Sequence, residues 1–236
     1  MQPPLLSAII LCYRGEDRIH PFVQETLAAL EKEIERFELI LVANWSDPAD
    51  KTPQVVEELS HSDSRIRYCA KKKEGMYGWD LRSGMEICRG EYIAYIDGDG
   101  QVPFGDFVRV YHAIREDNAD MAKTFRTKRN DTVTRKIITV LYNAFFHILF
   151  PGVQVRDVNA KPKILKRDVL QKMRLTSDDW FIDAEIMIKA HRLGLRIVEI
   201  PTVFHALQGR KSYVTSATIF EFVKNLIRFR ISEFSV

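Results

Sequence analysis

Cysteine is scarce in this chain of 236 residues: Cys12, Cys69 and Cys88 are the three present. They are odd in number and far apart, which excludes both a disulfide framework and a cysteine-based zinc site, and fits reduced packing residues. Charge of one sign is missing too. Lys and Arg total 35 against 32 Asp and Glu, a net +3, so the chain as a whole is not expected to bind nucleic acid. No window holds the ~18–20 uninterrupted apolar residues of a membrane span. The nearest, Ile137 to Val153, carries Asn143 and His147 and ends at Pro151-Gly152. The opening MQPPLLSAII has no basic segment before its apolar residues, so no signal peptide is expected. Internal repeats and low-complexity linkers are also lacking. The expectation is a cytoplasmic protein whose membrane contact, where it has any, is peripheral.

What is present is an alternation. Ser7–Tyr13, Glu38–Ala43, Ile66–Ala70 and Tyr92–Ile96 read as short buried strands. Pro21–Arg36, Lys51–Ser60 and Gly78–Cys88 between them have apolar residues at helical spacing. Strand and helix in turn predict an α/β fold, a mostly parallel sheet with helices on both faces. Beyond it, Pro103–Glu116 reads as a helix and Asp120–Thr124 as a strand. A basic stretch, Arg126 to Lys136, feeds an apolar helix, Ile137–Phe150. Val155–Ile164 is strand-like or irregular; Lys166–Met173 and Asp183–Leu193 are helices; Arg196–Ile200 is a strand stopped by Pro201. An amphipathic helix from Ser216 to Phe234 ends the pattern. The expected organisation is one domain over 1–215, with a nucleotide-sugar-binding half at 1–102 and an acceptor-binding half at 103–215, plus a helical appendage at 216–236.

In a parallel α/β sheet, ligands bind outside the carboxyl ends of the strands. Polar residues gather at those ends here. Tyr13, Arg14 and Glu16 follow the first strand; Asn44, Ser46 and Asp47 follow the second; Asp97-Gly98-Asp99-Gly100-Gln101 follows the fourth. Two carboxylates at i and i+2 after a buried strand can face one crevice where glycine permits a bend. Such a pair repels itself unless a cation lies between. A hard divalent ion, Mg²⁺ or Mn²⁺, takes oxygen ligands and also binds phosphates. An Asp-Gly-Asp-Gly string is equally a common turn, so the pair alone does not decide the matter.

The strand YIAYIDGDGQ, preceded by a Gly-containing basic segment, resembles family 2 glycosyltransferases of the GT-A fold, and among them the polyprenyl-phosphate (dolichol-phosphate mannose synthase-like) sugar synthases. The resemblance covers nearly the whole chain. It implies that Asp97, Asp99 and Gln101 hold the metal and that Asp97, Gly98 and Asp99 face the donor diphosphate. LILVANWSDPADKT stands where the family has its nucleoside-binding turn, although Asn44 and Trp45 depart from its acidic pattern. KEGMYGWDLRSGMEICRG resembles the basic segment near the diphosphate; Lys73 and Arg82 fit it, and Trp79 stands where a small residue is usual. RDVNAKPK resembles an acceptor-side loop, with Asn159 and Lys161. FIDAEIMIKAHRLG resembles an acidic helix, with Glu185 at the matching position on the nucleotide-sugar side. EIPTVFHALQGRKS resembles a phosphate element in which His205 replaces the usual Arg. Its Arg210 and Lys211 join the cations expected to face the acceptor phosphate.

An acceptor phosphate is already anionic at neutral pH and needs no general base, but two anionic groups must be brought together, which cations offset. Arg126, Arg129 and Arg135, beside the apolar helix, are the candidates, with Arg126 counted as catalytic. A hydroxyl acceptor would instead require a carboxylate base, for which Asp183 is the first candidate. The implied activity is inverting, metal-dependent transfer from a UDP- or GDP-sugar to a polyprenyl phosphate at the inner membrane face. Residues 137–153 and 216–234 are expected to offer lipid contact, or in the latter case a homodimer contact. Transfer to a sugar or lipid hydroxyl, and a non-catalytic nucleotide-binding relative, remain the alternatives.

Overall fold

The computed structural model describes residues 2–129, 133–205 and 216–232, without the side chains of 129, 133–135, 216–220, 222 and 232. Strands β1 (Leu6–Leu11) and β2 (Phe37–Val42) are six-residue runs buried at every position. That is the signature of parallel strands covered on both faces. The other strands are β3 (Ile66–Cys69), β4 (Tyr92–Asp97), β5 (Met121–Arg129), β6 (Lys163–Lys166) and β7 (Ile197–Phe204). They form one sheet in the order β3-β2-β1-β4-β6-β5-β7. β6 is antiparallel to both β4 and β5, and the remaining pairings are parallel.

Helices α1 (Ile19–Glu33), α2 (Thr52–Ser62) and α4 (Asp106–Glu116) bury their apolar residues against one face, meeting Leu6, Ala8 and Ile10 of β1. Helices α3 (Tyr77–Glu86), α5 (Val133–Leu149), α6 (Arg167–Met173), α7 (Ile182–Arg192) and α8 (Ser216–Ser232) cover the other face, meeting Ile9 and Leu11. The alternation along β1 thus divides two cores by the period-two geometry of a strand. α8 is no loose appendage. Its Leu226 is fully buried in the second core, Phe229 packs 5.0 Å from Phe181, and Asn225 donates to Asp179 at 2.6 Å.

Two local expectations need correction. Pro201 does not stop the last strand, which runs on to Phe204. β7 is the outermost strand of the sheet, where a missing backbone N–H is tolerated. The strand expected over Asp120–Thr124 runs on into the basic stretch, because β5 extends through Arg129 and pairs along its length with β7.

Candidate active site

β1 lies between β2 and β4, and the chain leaves β1 toward β2 and returns through α3 to β4. The crevice at their carboxyl ends is where such sheets take ligands. Leu11 pairs with Asp97, the last residue of β4, so the acidic turn opens beside the end of β1. Gly98 passes so close that a Cβ there would lie 2.8 Å from Ile10 Cγ2 and 3.1 Å from the Leu11 carbonyl oxygen. Gly100 turns the chain at φ +70°. Asp99 Oδ1 accepts from the Gln101 N–H at 3.0 Å, closing the turn. Gln101 is buried, its Nε2 donates to the His205 carbonyl oxygen at 3.1 Å, and its own carbonyl accepts from the His205 N–H at 2.7 Å. Its amide nitrogen thus ties the acidic turn to the end of β7.

Asp97 belongs to a cluster of four charges with Lys161, Asp183 and Lys163. Lys161 Nζ stands 3.3 Å from Asp97 Oδ2 and 3.1 Å from Asp183 Oδ2. Lys163, fully buried, contacts Asp183 Oδ1, which also accepts from the Tyr95 hydroxyl at 2.9 Å. Burial lowers the pKa of Lys161, but Asp183 and Asp97 outweigh it and hold the group above the ordinary lysine value. Burial likewise opposes ionisation of Asp183, and Lys161 and Lys163 reverse the balance, keeping its pKa below the usual carboxylate range. Lys163 is pushed down by burial to about 8. Lys161 Nζ also lies 4.3 Å over the ring of Tyr77, which stacks on Trp180 at 5.1 Å. Burial, then Asp97 and Asp183, raise the Tyr77 hydroxyl well above its ordinary pKa, so it stays protonated.

Five expected donor-side residues converge at the ends of β1 and β2. The Tyr13 hydroxyl is 3.3 Å from Ser46 Oγ, Arg14 pairs with Asp47 at 3.5 Å, and Lys73 Nζ lies 4.3 Å over the Tyr13 ring. Lys73 also pairs with Asp80. Glu16, at φ 47°, is exposed, and its N–H donates to Thr52 Oγ1. Asn44 is turned inward: it donates to Asp80 and Ser83 of α3 and accepts from the Lys71 N–H, which ties β2 to that helix. Arg82 pairs with Asp178. The first N–H groups of α3 are also occupied, those of Gly78 and Trp79 by the carbonyls of Asp179 and Asp178.

Glu185 makes its contacts with the segment before α7 and with Lys189. It is fully buried and accepts from the N–H groups of Thr176 and Ser177, the Thr176 hydroxyl and Lys189. These partners overcome burial and keep its pKa low. It holds the segment before α7 in place. Arg126 forms a two-pronged ion pair with Asp157, at 2.6 and 2.7 Å. Asn159 is half-buried on the segment that ends in Lys161. Arg210 and Lys211, and the side chains of Arg129 and Arg135, lie outside the described residues.

Tyr95, Lys163, Asp157, Tyr77 and Trp180 belong to these networks and were not expected there. Lys163 had one usable signal, its i+2 spacing from Lys161 with proline between, but surface strands show the same pattern. For Tyr77 and Trp180 the sequence carries no distinguishing signal, since a lone aromatic reads as core.

The residues suit a divalent cation to a limited degree that matches the chemistry. Among the described residues no group of three His, Cys, Asp or Glu side chains forms a closed metal cage. Two carboxylates on one turn, both on partly exposed residues, suit an ion such as Mg²⁺ that takes one or two protein carboxylates and fills its shell with water and substrate phosphates. Asp97 and Asp99 are the residues that would hold it.

Comparison with known proteins places the chain among glycosyltransferases. A dolichyl-phosphate β-glucosyltransferase of Drosophila melanogaster is 24% identical over 223 residues, covering 87% of this chain and 68% of the relative. The Saccharomyces cerevisiae enzyme of the same name is 24% identical over 251 residues, covering 96% and 74%. Glycosyltransferase AglD of Haloferax volcanii is 26% identical over 204 residues, 83% of this chain but 32% of AglD, so the chain spans about a third of that relative. Among solved structures, glucosyl-3-phosphoglycerate synthase from Mycobacterium tuberculosis, in complex with Mn²⁺, UDP and phosphoglyceric acid, superposes with a TM-score of 0.71 at 16% identity, covering 97% of this chain and 78% of that one. The fold is GT-A. The sequence pattern described as Glycosyl transferase family 2 matches residues 7–174, and on that match the chain is a member of this family.

Proposed function

We propose that this chain transfers a sugar, with inversion, from a nucleoside diphosphate sugar to a polyprenyl phosphate at a membrane surface. One observation carries the choice of acceptor. Asp183, the buried carboxylate beside the acidic turn, is held by Lys161, Lys163 and the Tyr95 hydroxyl with its pKa depressed. A carboxylate so committed is a poor general base, whereas a hydroxyl acceptor requires one. A phosphate acceptor does not. Its anionic oxygen attacks the anomeric carbon from the face opposite the diphosphate, the bond to the diphosphate breaks, and the diphosphate leaves with the electron pair.

A divalent cation bound at Asp97 and Asp99 would offset the charge that grows on the leaving diphosphate. The chain's own part is to place the reactants. Tyr13, Arg14, Ser46, Asp47 and Lys73 line the nucleoside side, and the Lys161 ammonium lies beside Asp97. The dolichyl-phosphate glucosyltransferases among the relatives support the acceptor class, and the Mn²⁺–UDP complex of the structural neighbour supports the donor side. The membrane reading rests on α5, whose Ile137, Val140, Leu141 and Ile148 are exposed, and on α8, where Ile227 and Ile231 are exposed beside Lys224 and Arg228. Apolar side chains beside cations suit the surface of an anionic bilayer. Among the described residues no helix is long and apolar enough to cross a membrane.

The test is calorimetric titration of UDP and GDP with and without Mn²⁺, on the wild type and on Asp99→Asn, followed by transfer assays with polyprenyl phosphate and with a sugar acceptor. Mn²⁺-dependent nucleotide binding that Asp99→Asn removes, with transfer to the lipid phosphate, is expected. Unchanged binding in Asp99→Asn, or transfer to the hydroxyl acceptor alone, would refute the reading.

A further inference from the structure

We infer that Lys161 is a resident cation of the donor site, which opposes bare metal and attracts the diphosphate. The inference deepens the function proposed above and rests on it. Lys161 reaches the crevice from the segment before β6, and its side chain is 11% exposed. Its ammonium touches the acidic turn at Asp97 and is anchored from behind by Asp183. The Tyr77 ring, 4.3 Å below, favours a cation at that point. The Lys161 carbonyl is itself fixed by the Thr124 hydroxyl at 2.7 Å. The ammonium is therefore held on both sides and is not a mobile surface charge.

The charges decide what this does. Lys163 contacts Asp183 from the far side, and Lys161 stands between Asp183 and Asp97 with its charge against the acidic turn. A divalent ion entering alone meets two carboxylates already partly neutralised and is repelled by the ammonium a few ångströms away. A nucleoside diphosphate entering alone meets an acidic turn whose repulsion Lys161 reduces. Both interactions lie in a partly buried crevice, where charges are screened less than in water. Lys161 therefore weakens the binding of bare metal and strengthens the binding of metal-free nucleotide. The two effects have opposite signs, and a residue that only supports the fold cannot produce that pattern.

The experiment measures four affinities on the intact chain: Mn²⁺ alone by electron paramagnetic resonance, and UDP and GDP alone and with saturating Mn²⁺ by calorimetry. The metal–nucleotide complex formed in solution is corrected for in protein-free controls. Lys161→Met is expected to bind bare Mn²⁺ about tenfold more tightly, and metal-free nucleotide about tenfold more weakly, for loss of one charge at this range. Lys161→Arg, which keeps the charge, is expected to stay near wild type on both. Weakening of both ligands in Lys161→Met, or a change in neither, overturns the proposal. Should Lys161→Met fail to fold, the wild type still decides: no detectable binding of metal-free nucleotide overturns it. A wild type that binds neither nucleotide even with Mn²⁺ would instead refute the function itself.

Discussion

Changing Asp157 to asparagine should destabilise the protein by about 3 kcal/mol, toward the lower end of the ~3–5 kcal/mol lost when one member of a buried ion pair is removed. The side chain is buried and accepts both prongs of Arg126, from Nε at 2.6 Å and Nη2 at 2.7 Å. Asparagine keeps the volume and one oxygen, yet removes the negative charge that both prongs of the guanidinium meet. For a domain of this size the loss corresponds to a fall in Tm of roughly 6–12 °C. Burial works against the Asp157 carboxylate, but Arg126, and behind it Lys123, more than compensate and drive its pKa well below the ordinary value. An aspartate whose folded pKa is depressed stabilises the fold fully above the unfolded value of about 3.9 and loses that contribution as pH falls further. The gap between wild type and Asp157→Asn should therefore be constant from pH 7 to about 5 and close as the solution is acidified below 4. Urea unfolding across that pH series, in a cycle with Arg126→Met, measures it. A penalty under about 0.5 kcal/mol at pH 7, or a gap that does not narrow in acid, would show that the pair does not carry this energy.

Two further outcomes are expected from the same networks and from the exposed helix. Glu185→Gln should cost about 2–3 kcal/mol, because a buried, charge-assisted set of hydrogen bonds to Thr176 and Ser177 is weakened and the Lys189 ammonium, left with the Arg174 carbonyl, loses the negative charge beside it. Differential scanning fluorimetry with UDP or GDP plus Mn²⁺ present should still show a nucleotide-induced stabilisation in that variant, and its disappearance would return Glu185 to the donor site. The double change Val140→Glu, Ile148→Glu on the exposed side of α5 should reduce sedimentation with anionic vesicles at least about tenfold while leaving nucleotide affinity unchanged. Equal sedimentation would remove α5 from the membrane-facing surface.

The first half of the fold is legible because its signals are local. Continuous apolar runs such as Ala8–Leu11 and Leu39–Val42 mark strands covered on both faces, and the residues directly after them must lie at one edge of the sheet. The acidic turn and the polar residues after β1 and β2 stand out in this way. The second half is harder, since its meaning lies in long-range pairing. Lysine is usually exposed, and the sequence marks Lys161 only as an acceptor-side residue; Lys123, Lys161 and Lys163 are buried or nearly so because Glu199, Asp97 and Asp183 meet them from distant segments. Arg126 reads as a free phosphate ligand, and its partner Asp157 lies 31 positions away. Glu185 sits at the right place in a motif, but a helix buried on nearly every side turns it toward its own preceding loop. No periodicity reports which of two acids two residues apart will face the crevice.

The reversed strand β6 has a consequence for how this chain tolerates change. A strand that runs against β4 begins where β4 finishes, so here the incoming chain, and not only the outgoing one, furnishes side chains beside the acidic turn. Lys163 opposite Tyr95 sets the phase of that delivery. A slip of one residue would turn Lys163 to the opposite side of the sheet, and a slip of two would carry Lys161 about 7 Å along the strand. A single added residue between Asp157 and Lys163 must be absorbed within a short span pinned at both ends, or the ammonium groups lose their places.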